Sequence, residues 1–306
     1  MRNHLKLCIV LFISFNAIAN TIHAEGTPVT LAKDKKSSWQ ITTVSDKKEV
    51  QFAAQELQKY LAKISDANLP LGAKAKSSYN IIIGLKQNIP AAYKKLLPVT
   101  AKGFNGYSIA VSQKPAVVVI AGDDIPGVIY GTYALLEKLG CRWYYPQQDV
   151  NDPEVIPHLN TVSLNTGAWS VASPTQYRIY NGDGWFFKMD FELAKIQLDW
   201  AMKNRYNMVG WQALASNSNI SLEDQYADFK KNGVEAELMK RGMYIHGPAH
   251  SFDQLLNSGV YFKDHPEWFG MRDGKRVPQT YVGAQFCWSN ADARKELIKN
   301  AEAFIV

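Results

Sequence analysis

Hydrophobic and polar positions fall into two stretches of alternating strand and helix signals, preceded by one short apolar run. In the first stretch, Trp39-Gln-Ile-Thr-Thr-Val44 alternates with the period of a strand. Ser45-Asp46 then offers a helix cap, with Glu49 three residues after Asp46 in capping-box spacing. Val50, Ala53, Ala54, Leu57, Tyr60, Leu61 and Ile64 recur at helical intervals and predict one apolar face laid on a sheet. Asn68-Leu-Pro70 is the expected end of that helix. Tyr79–Gly84 is a continuously apolar strand of the kind covered on both faces. Gly106–Val111 and Ala116–Ala121 read as paired strands joined at Ser112–Pro115. A second helix is predicted from Pro126 to Leu139, stopped by Gly140. Gly122-Asp123-Asp124 before it could form a metal or phosphate loop, but a turn in which aspartate caps the helix is the simpler reading. Such alternation predicts helices packed on a mixed sheet.

The second stretch repeats the alternation with longer connections. A short strand at Tyr177–Tyr180 leads into the loop Asn181-Gly-Asp-Gly184, and a helix follows from Asp190 to Asn204. Tyr206–Trp211 is the next strand, Leu222–Arg241 the next helix, and Met243–His246 a third strand. Strands separated by helices imply a parallel sheet. The expected fold class is therefore α/β. An α+β accessory domain over residues 25–168 sets helices on a mixed sheet, and the first part of a (β/α)8 TIM-type barrel occupies 169–306. A complete barrel takes about 250 residues, and only about 130 follow the first domain, so the chain is expected to be the front part of a longer protein.

The leading apolar run sets the compartment. Arg2, His4 and Lys6 form a positive region ahead of Leu7–Phe15, and small-residue cleavage sites follow at Ala17-Ile-Ala19 and Ile22-His-Ala24. Residues 1–24 have the pattern of a secretory signal peptide, too short to span a bilayer. Export to the periplasm or beyond is expected, with no membrane span left after cleavage. Hydrophobic residues make up 46% of the chain and charged ones 20%, as in a globular protein. The net charge of +6 becomes +4 once Arg2 and Lys6 depart (6 − 2). Its lysine pairs are scattered, which argues against nucleic acid as a partner. Cys141 and Cys287 lack CxxC spacing, so no zinc cluster or disulfide framework is visible. Both are expected as buried free thiols, with a single bridge between them as the alternative.

Chemistry in such barrels sits at the carboxyl ends of the strands. Those ends supply Tyr180, Asn181 and Asp183, then Trp211 and Gln212, then His246 and His250, with Trp185, Trp268 and Trp288 in adjoining loops. Indoles can stack on the C–H faces of a sugar ring, and Asn, Gln, His and Arg can meet its hydroxyls. For Trp185 and Trp211 stacking and packing fit equally, whereas Trp200, on the helix, reads as packing. Asp183 is a binding candidate because Gly182 and Gly184 let its loop approach a ligand closely. Zinc chelation by His246 and His250 fits poorly. Four-residue spacing needs a helix, which Gly247-Pro248 forbids, and no glutamate follows His246. No metal or cofactor is expected.

Five segments in order, AAQELQKYL, YNIIIG, GFNGYSIAV, VVVIAG and GVIYGTYALLEKLGCRWYYP, give the first stretch a resemblance to a known domain. It resembles the small N-terminal domain ahead of the barrel in bacterial alpha-glucuronidases and beta-hexosaminidases, most specifically over Gly122–Pro146. The segments KRGMYIHGPAHSFDQLL, YFKDHPEWFGMRDGKRV and QFCWSNADARKELIKNAEAFI are similar to a broad bacterial family of glycosidase-like barrels attached to that domain. The resemblance implies a first domain without catalytic groups, and catalytic carboxylates on strands beyond Val306. It also implies that Arg178 holds a sugar, unless it is a salt-bridged core residue, and that His250, with His246 behind it, lines the sugar pocket. The expected function is a secreted glycoside hydrolase acting on O-glycosidic bonds of a uronic acid or N-acetylhexosamine glycan. The alternatives are a non-catalytic exported carbohydrate-binding protein and, if His246 and His250 do hold zinc, a metal-dependent hydrolase.

Overall fold

The computed structural model describes residues 26–72, 77–146, 154–180, 191–212, 222–249, 252–279 and 285–305. The first part opens with β1 (Pro28–Lys33), β2 (Gln40–Thr43) and α1 (Lys48–Ser65). Next come β3 (Leu71–Gly72), β4 (Asn80–Leu85), α2 (Ala91–Lys94), β5 (Phe104–Gln113), β6 (Ala116–Gly122) and α3 (Ile125–Lys138). It closes with β7 (Arg142–Trp143), β8 (Glu154–Val155), β9 (Thr161–Asn165) and β10 (Gly167–Ser173). Six strands form one mixed sheet in the order β10-β5-β6-β4-β2-β3, in which β5 alone runs against the other five.

The apolar character of β4 follows from its central place between β2 and β6. Alternate residues point to opposite faces. Ile81 and Ile83 join the core under α1 and α3, while Ile82 packs with Val117, Val119 and Ala110 on the other face. That second face is covered by the segment carrying Ile89, Tyr93, Leu96 and Leu97. Both helices follow the expected apolar periodicity, but their ends differ from it in places. The side chain of the α1 N-cap residue, Lys47, caps nothing, and Ser45 Oγ accepts instead from the Lys47 N–H at 3.3 Å. The capping box at Asp46 and Glu49 does not form. The helix also ends earlier than expected, at Ser65, because Asp66 turns left-handed with φ 56°. For α3 the capping reading holds: Asp124 Oδ1 accepts from the Gly127 N–H at 2.8 Å. At its far end Gly140 adopts φ 103°, and Cys141 N–H bonds back to the Leu136 carbonyl at 3.1 Å, closing a glycine-dependent helix stop.

The second part contains β11 (Ile179–Tyr180), α4 (Phe191–Lys203), β12 (Met208–Gln212), α5 (Leu222–Lys231), α6 (Val234–Lys240) and β13 (Tyr244–Ala249). The strands form a parallel sheet in the order β11-β12-β13, as the alternation predicted. One expected helix is two, because Gly233 at φ 79° breaks the run between Lys231 and Val234. The rest comprises α7 (Phe252–Leu255), α8 (Ser258–Tyr261), the hairpin β14 (Met271–Arg272) with β15 (Lys275–Arg276), and α9 (Ala291–Ile305). Leu256, Trp268, Phe269, Phe286, Ala293 and Leu297 give this unit a small core of its own. Positive φ at Asp273 and Gly274 makes the tight hairpin turn.

One hydrophobic cluster runs from Val29 to Met243 and crosses the boundary between the two parts, so α1 and α3 of the first part pack against α6 and α4 of the second. A buried ammonium sits in that boundary. Lys203, 3% exposed at the end of α4, donates to Tyr60 Oη and Glu154 Oε1 at 2.7 Å each, and pairs with Asp199 Oδ2 at 2.5 Å. It also faces the rings of Tyr60, Trp143 and Tyr133 at 5.2, 5.5 and 5.9 Å. Those three rings meet edge to face, and Tyr133 Oη donates to the buried Glu56 at 2.7 Å. Asp199 joins the buried Arg241 at 3.4 Å as well, which extends the network to α6.

Burial alone would raise the Glu154 carboxyl. The Lys203 charge and hydrogen bond, the Tyr60 hydroxyl and Lys63 outweigh it and draw its pKa down to about 2. Burial likewise opposes the Lys203 charge, but Asp199 and Glu154 together hold its pKa above the ordinary lysine value.

Lys203→Met removes the cation and leaves Glu154 and Asp199 facing each other without it. Equilibrium urea unfolding should show a loss of about 3–5 kcal/mol, and a loss below about 1 kcal/mol would contradict the clamp. Because the folded-state pKa of Glu154 lies below its ordinary 4.5, its contribution is complete above pH 4.5 and disappears as pH falls through about 2. The thermal midpoint should therefore decline across that interval, and Glu154→Gln should flatten the decline.

Candidate functional site

The parallel sheet has two ends, and the first part occupies one of them. Arg178 precedes β11, Arg205 to Asn207 precede β12, and Arg241 with Gly242 precede β13, so all of these lie at the amino end. Each makes the junction. Arg205 pairs with Glu137 through both guanidinium nitrogens, at 2.6 and 2.5 Å. Asn207 Nδ2 donates to Asn105 Oδ1 at 2.9 Å, and Tyr130 Oη donates to the Tyr206 carbonyl at 3.1 Å. The Tyr130 hydroxyl is pushed up to about 12 by burial, against the opposing charge and hydrogen bond of Arg178.

Arg178 belongs to this end too, and its side chain is held there by the junction. Its Nε donates to the Arg205 carbonyl at 2.6 Å, one Nη to the Thr175 carbonyl at 2.6 Å, and the other to Asn105 Oδ1 at 2.7 Å. The guanidinium lies 5.6 Å over the Tyr130 ring. Longer bonds to the Gln176 carbonyl at 3.4 Å and to Tyr130 Oη at 3.5 Å engage its remaining N–H groups. A cavity of about 380 Å³ lies beside it, lined by Arg178, Trp200, Asn204, Arg205 and Tyr206. Trp200 meets Tyr180 edge to face at 5.3 Å and lies tilted against Tyr206 at 5.9 Å, in the packing role expected of it.

The carboxyl end is left uncovered by the first part. Tyr180 pairs with Val209 across the β11–β12 ladder, Val209 with Ile245, and Gly210 with His246. Val209 is buried and Ile245 half-buried against the helices, whereas Tyr244 and His246, on the other face, are exposed. His246 thus stands on the open face, one rung beyond Tyr180. Asn181, Asp183, Trp185 and His250 lie outside the described residues. Trp211 contributes its backbone to β12, and its side chain also lies outside them. Among the described residues no group of three His, Cys, Asp or Glu side chains is placed to hold a metal ion.

The segment after β13 holds the remaining candidates. Trp268 is buried and carries His265 stacked on its ring at 4.0 Å and 10°, which makes both of them packing residues. Trp288 is 55% exposed instead. It meets the half-open Phe252 edge to face at 5.4 Å and rests on the buried Phe286 at 4.4 Å. Cys287 beside it is only partly covered, which corrects the expectation of a second buried thiol; Cys141 is buried as expected, and both are free. A hydrogen bond with Ser289, then one from Arg276, draws the Cys287 pKa down to about 7. Phe252 and Arg276 were not singled out in the sequence. The basic residues flanking the Asp273-Gly274 turn were the only available signal for Arg276.

Comparison with known proteins supports the fold. Residues 27–135 match the model for the glycosyl hydrolase family 67 N-terminus, and residues 150–306 match the model for Domain of unknown function (DUF4838). No curated protein matches the sequence. Among solved structures, a family GH115 4-O-methyl-alpha-glucuronidase with specificity for decorated arabinogalactans is similar at 15% identity and TM-score 0.58, covering 90% of this chain and 40% of that one. Streptomyces plicatus N-acetyl-beta-hexosaminidase is similar at 14% identity and TM-score 0.53, covering 91% of this chain and 54% of that enzyme. The GH20 beta-N-acetylhexosaminidase of Streptomyces coelicolor A3(2) gives 13% and 0.51, with 88% and 52% covered. The chain thus spans about half the length of the hexosaminidases it matches. At these identities the likeness is one of fold, and it bears out the glycoside-hydrolase-like resemblance read from the segments above. With just over half of its 306 residues matching that family model, the chain belongs to the DUF4838 family and carries a glycosyl hydrolase family 67 N-terminal segment ahead of it.

Proposed function

We propose that the protein is an exported glycoside hydrolase acting on O-glycosidic bonds of a uronic acid or N-acetylhexosamine glycan. In this reading β11, β12 and β13 open a TIM-type barrel whose sugar cleft lies at their carboxyl ends. The observation that carries it is the placement of the first part. It engages the sheet through Arg178, Arg205 and Lys203 at or beside the amino end, and leaves His246 exposed on the open face. In barrel enzymes the amino end serves stability and the carboxyl end serves chemistry. Asn181, Asp183, Trp185, Trp211, His246 and His250 would surround the sugar, with hydrolysis carried out by a pair of carboxyl groups flanking the bond or by one acid with the substrate's own acetamido group. Residues 1–24 would direct export and be removed. Among the described residues no helix is long and apolar enough to cross a membrane.

Arg178 would have a supporting part in this reading. Held by the Arg205 carbonyl and Asn105, it would orient the first strand and leave contact with sugar to the residues named above. A non-catalytic exported carbohydrate-binding protein is the second reading, for which the exposed His246 and Trp288 would suffice.

Calorimetry with N-acetylhexosamine and uronic acid oligosaccharides, paired with release of nitrophenol from the matching aryl glycosides, tests both. Trp211→Ala or His250→Ala should weaken binding about tenfold without lowering the unfolding midpoint. Unchanged affinity in both variants would remove these residues from the site. Binding without turnover would favour the second reading.

A further inference from the structure

Trp288 and Phe252 form an aromatic surface that the packing of their own unit does not use. Single exposed apolar residues are ordinary on protein surfaces. This pair differs in being contiguous, braced from behind by the buried Phe286, and flanked by two arginines. Arg294 donates through Nη1 to the carbonyl of Trp288 itself. Arg276 donates through Nη1 to the Phe269 carbonyl at 2.5 Å and reaches Cys287, the residue next to Trp288. Neither guanidinium has a carboxylate partner among the described residues. Two acids of this unit are engaged by other partners: Glu296 by Lys299 and Tyr261, and Glu267 by His265. The exposed Arg272 and Lys275 of the hairpin add further positive charge.

We infer that Trp288, Phe252, Arg276 and Arg294 form a binding platform for a carboxylate-bearing sugar, a uronate unit of an acidic glycan. An indole offers a flat apolar face to the C–H side of a pyranose ring. A guanidinium anchored by one nitrogen keeps donors free in the planar fork that matches a carboxylate. A neutral sugar would leave both arginines unanswered. This platform rests on the carbohydrate reading above and narrows it to acidic glycans.

Tetragalacturonate and its fully methyl-esterified form, which keeps the rings and removes the charge, separate the two levels. Titration of the purified chain should show the acid form binding at least about tenfold more tightly than the ester, with the difference shrinking as salt is raised. Trp288→Ala should lower affinity for the acid form about tenfold, and Trp288→Phe should restore most of it. Arg276→Gln, which keeps an N–H for the Phe269 carbonyl, should reduce the preference for acid over ester. Bound tetragalacturonate should also slow alkylation of Cys287 by iodoacetamide at pH 7, while the buried Cys141 stays unmodified throughout. Equal affinity for acid and ester, or a Trp288→Ala variant that binds as well as the parent, overturns the platform. If His250→Ala still weakens saccharide binding in that case, the carbohydrate reading survives. A chain that binds neither these ligands nor N-acetylhexosamine oligosaccharides overturns both.

Discussion

An ammonium group removed from water is stable only where negative charge and hydrogen-bond acceptors replace its hydration, and Lys203 is placed where both parts of this chain supply them. Glu154 and Tyr60 come from the first part, Asp199 from the same helix as the lysine, and the ring faces of Tyr60, Tyr133 and Trp143 close the remaining sides. Neither part can satisfy the group alone. The continuous apolar cluster around it points the same way, since α1 and α3 bury their outer faces on α6 and α4 and not on water. The first part is therefore built into the fold of the second.

That constraint has a directional consequence. Lys203 ends α4, so the clamp, and with it the Glu137–Arg205 and Asn105–Arg178 contacts, falls beside the amino ends of the parallel strands. A domain fixed there cannot cover the opposite edge. The exposed face bearing Tyr244 and His246 is thus left available, and the chain continues past β13 into the unit that carries Trp288. In barrel enzymes the amino end serves stability and the carboxyl end chemistry, and the proposed function rests on that division.

Much of this was legible in the sequence, for physical reasons that also explain what was not. Strand β4 announced its central place because a strand covered on both faces has no polar position to show. Asp124 and Gly140 announced the limits of α3 because capping chemistry is local. Lys203 gave no such signal. A lysine in the last turn of an amphipathic helix usually lies in solvent, and its partners Tyr60 and Glu154 lie 143 and 49 residues away. The anchoring of Arg178 was hidden for the same reason: its place at a strand start was visible, but Asn105, which takes its guanidinium, was not. The aromatic pair at Trp288 was half legible. The indole stood out, whereas Phe252 and Arg276 join it only through folding of the segment after β13.

A crystal structure of the chain soaked with an acidic oligosaccharide tests the central claim most directly, because the two ends of the sheet offer separate destinations. The account predicts sugar density near His246 at the carboxyl end or on the Trp288 surface, with the Arg178 and Lys203 contacts unchanged. Density in the cavity between Arg178, Trp200 and Tyr206 at the amino end, with the carboxyl side empty, would contradict it.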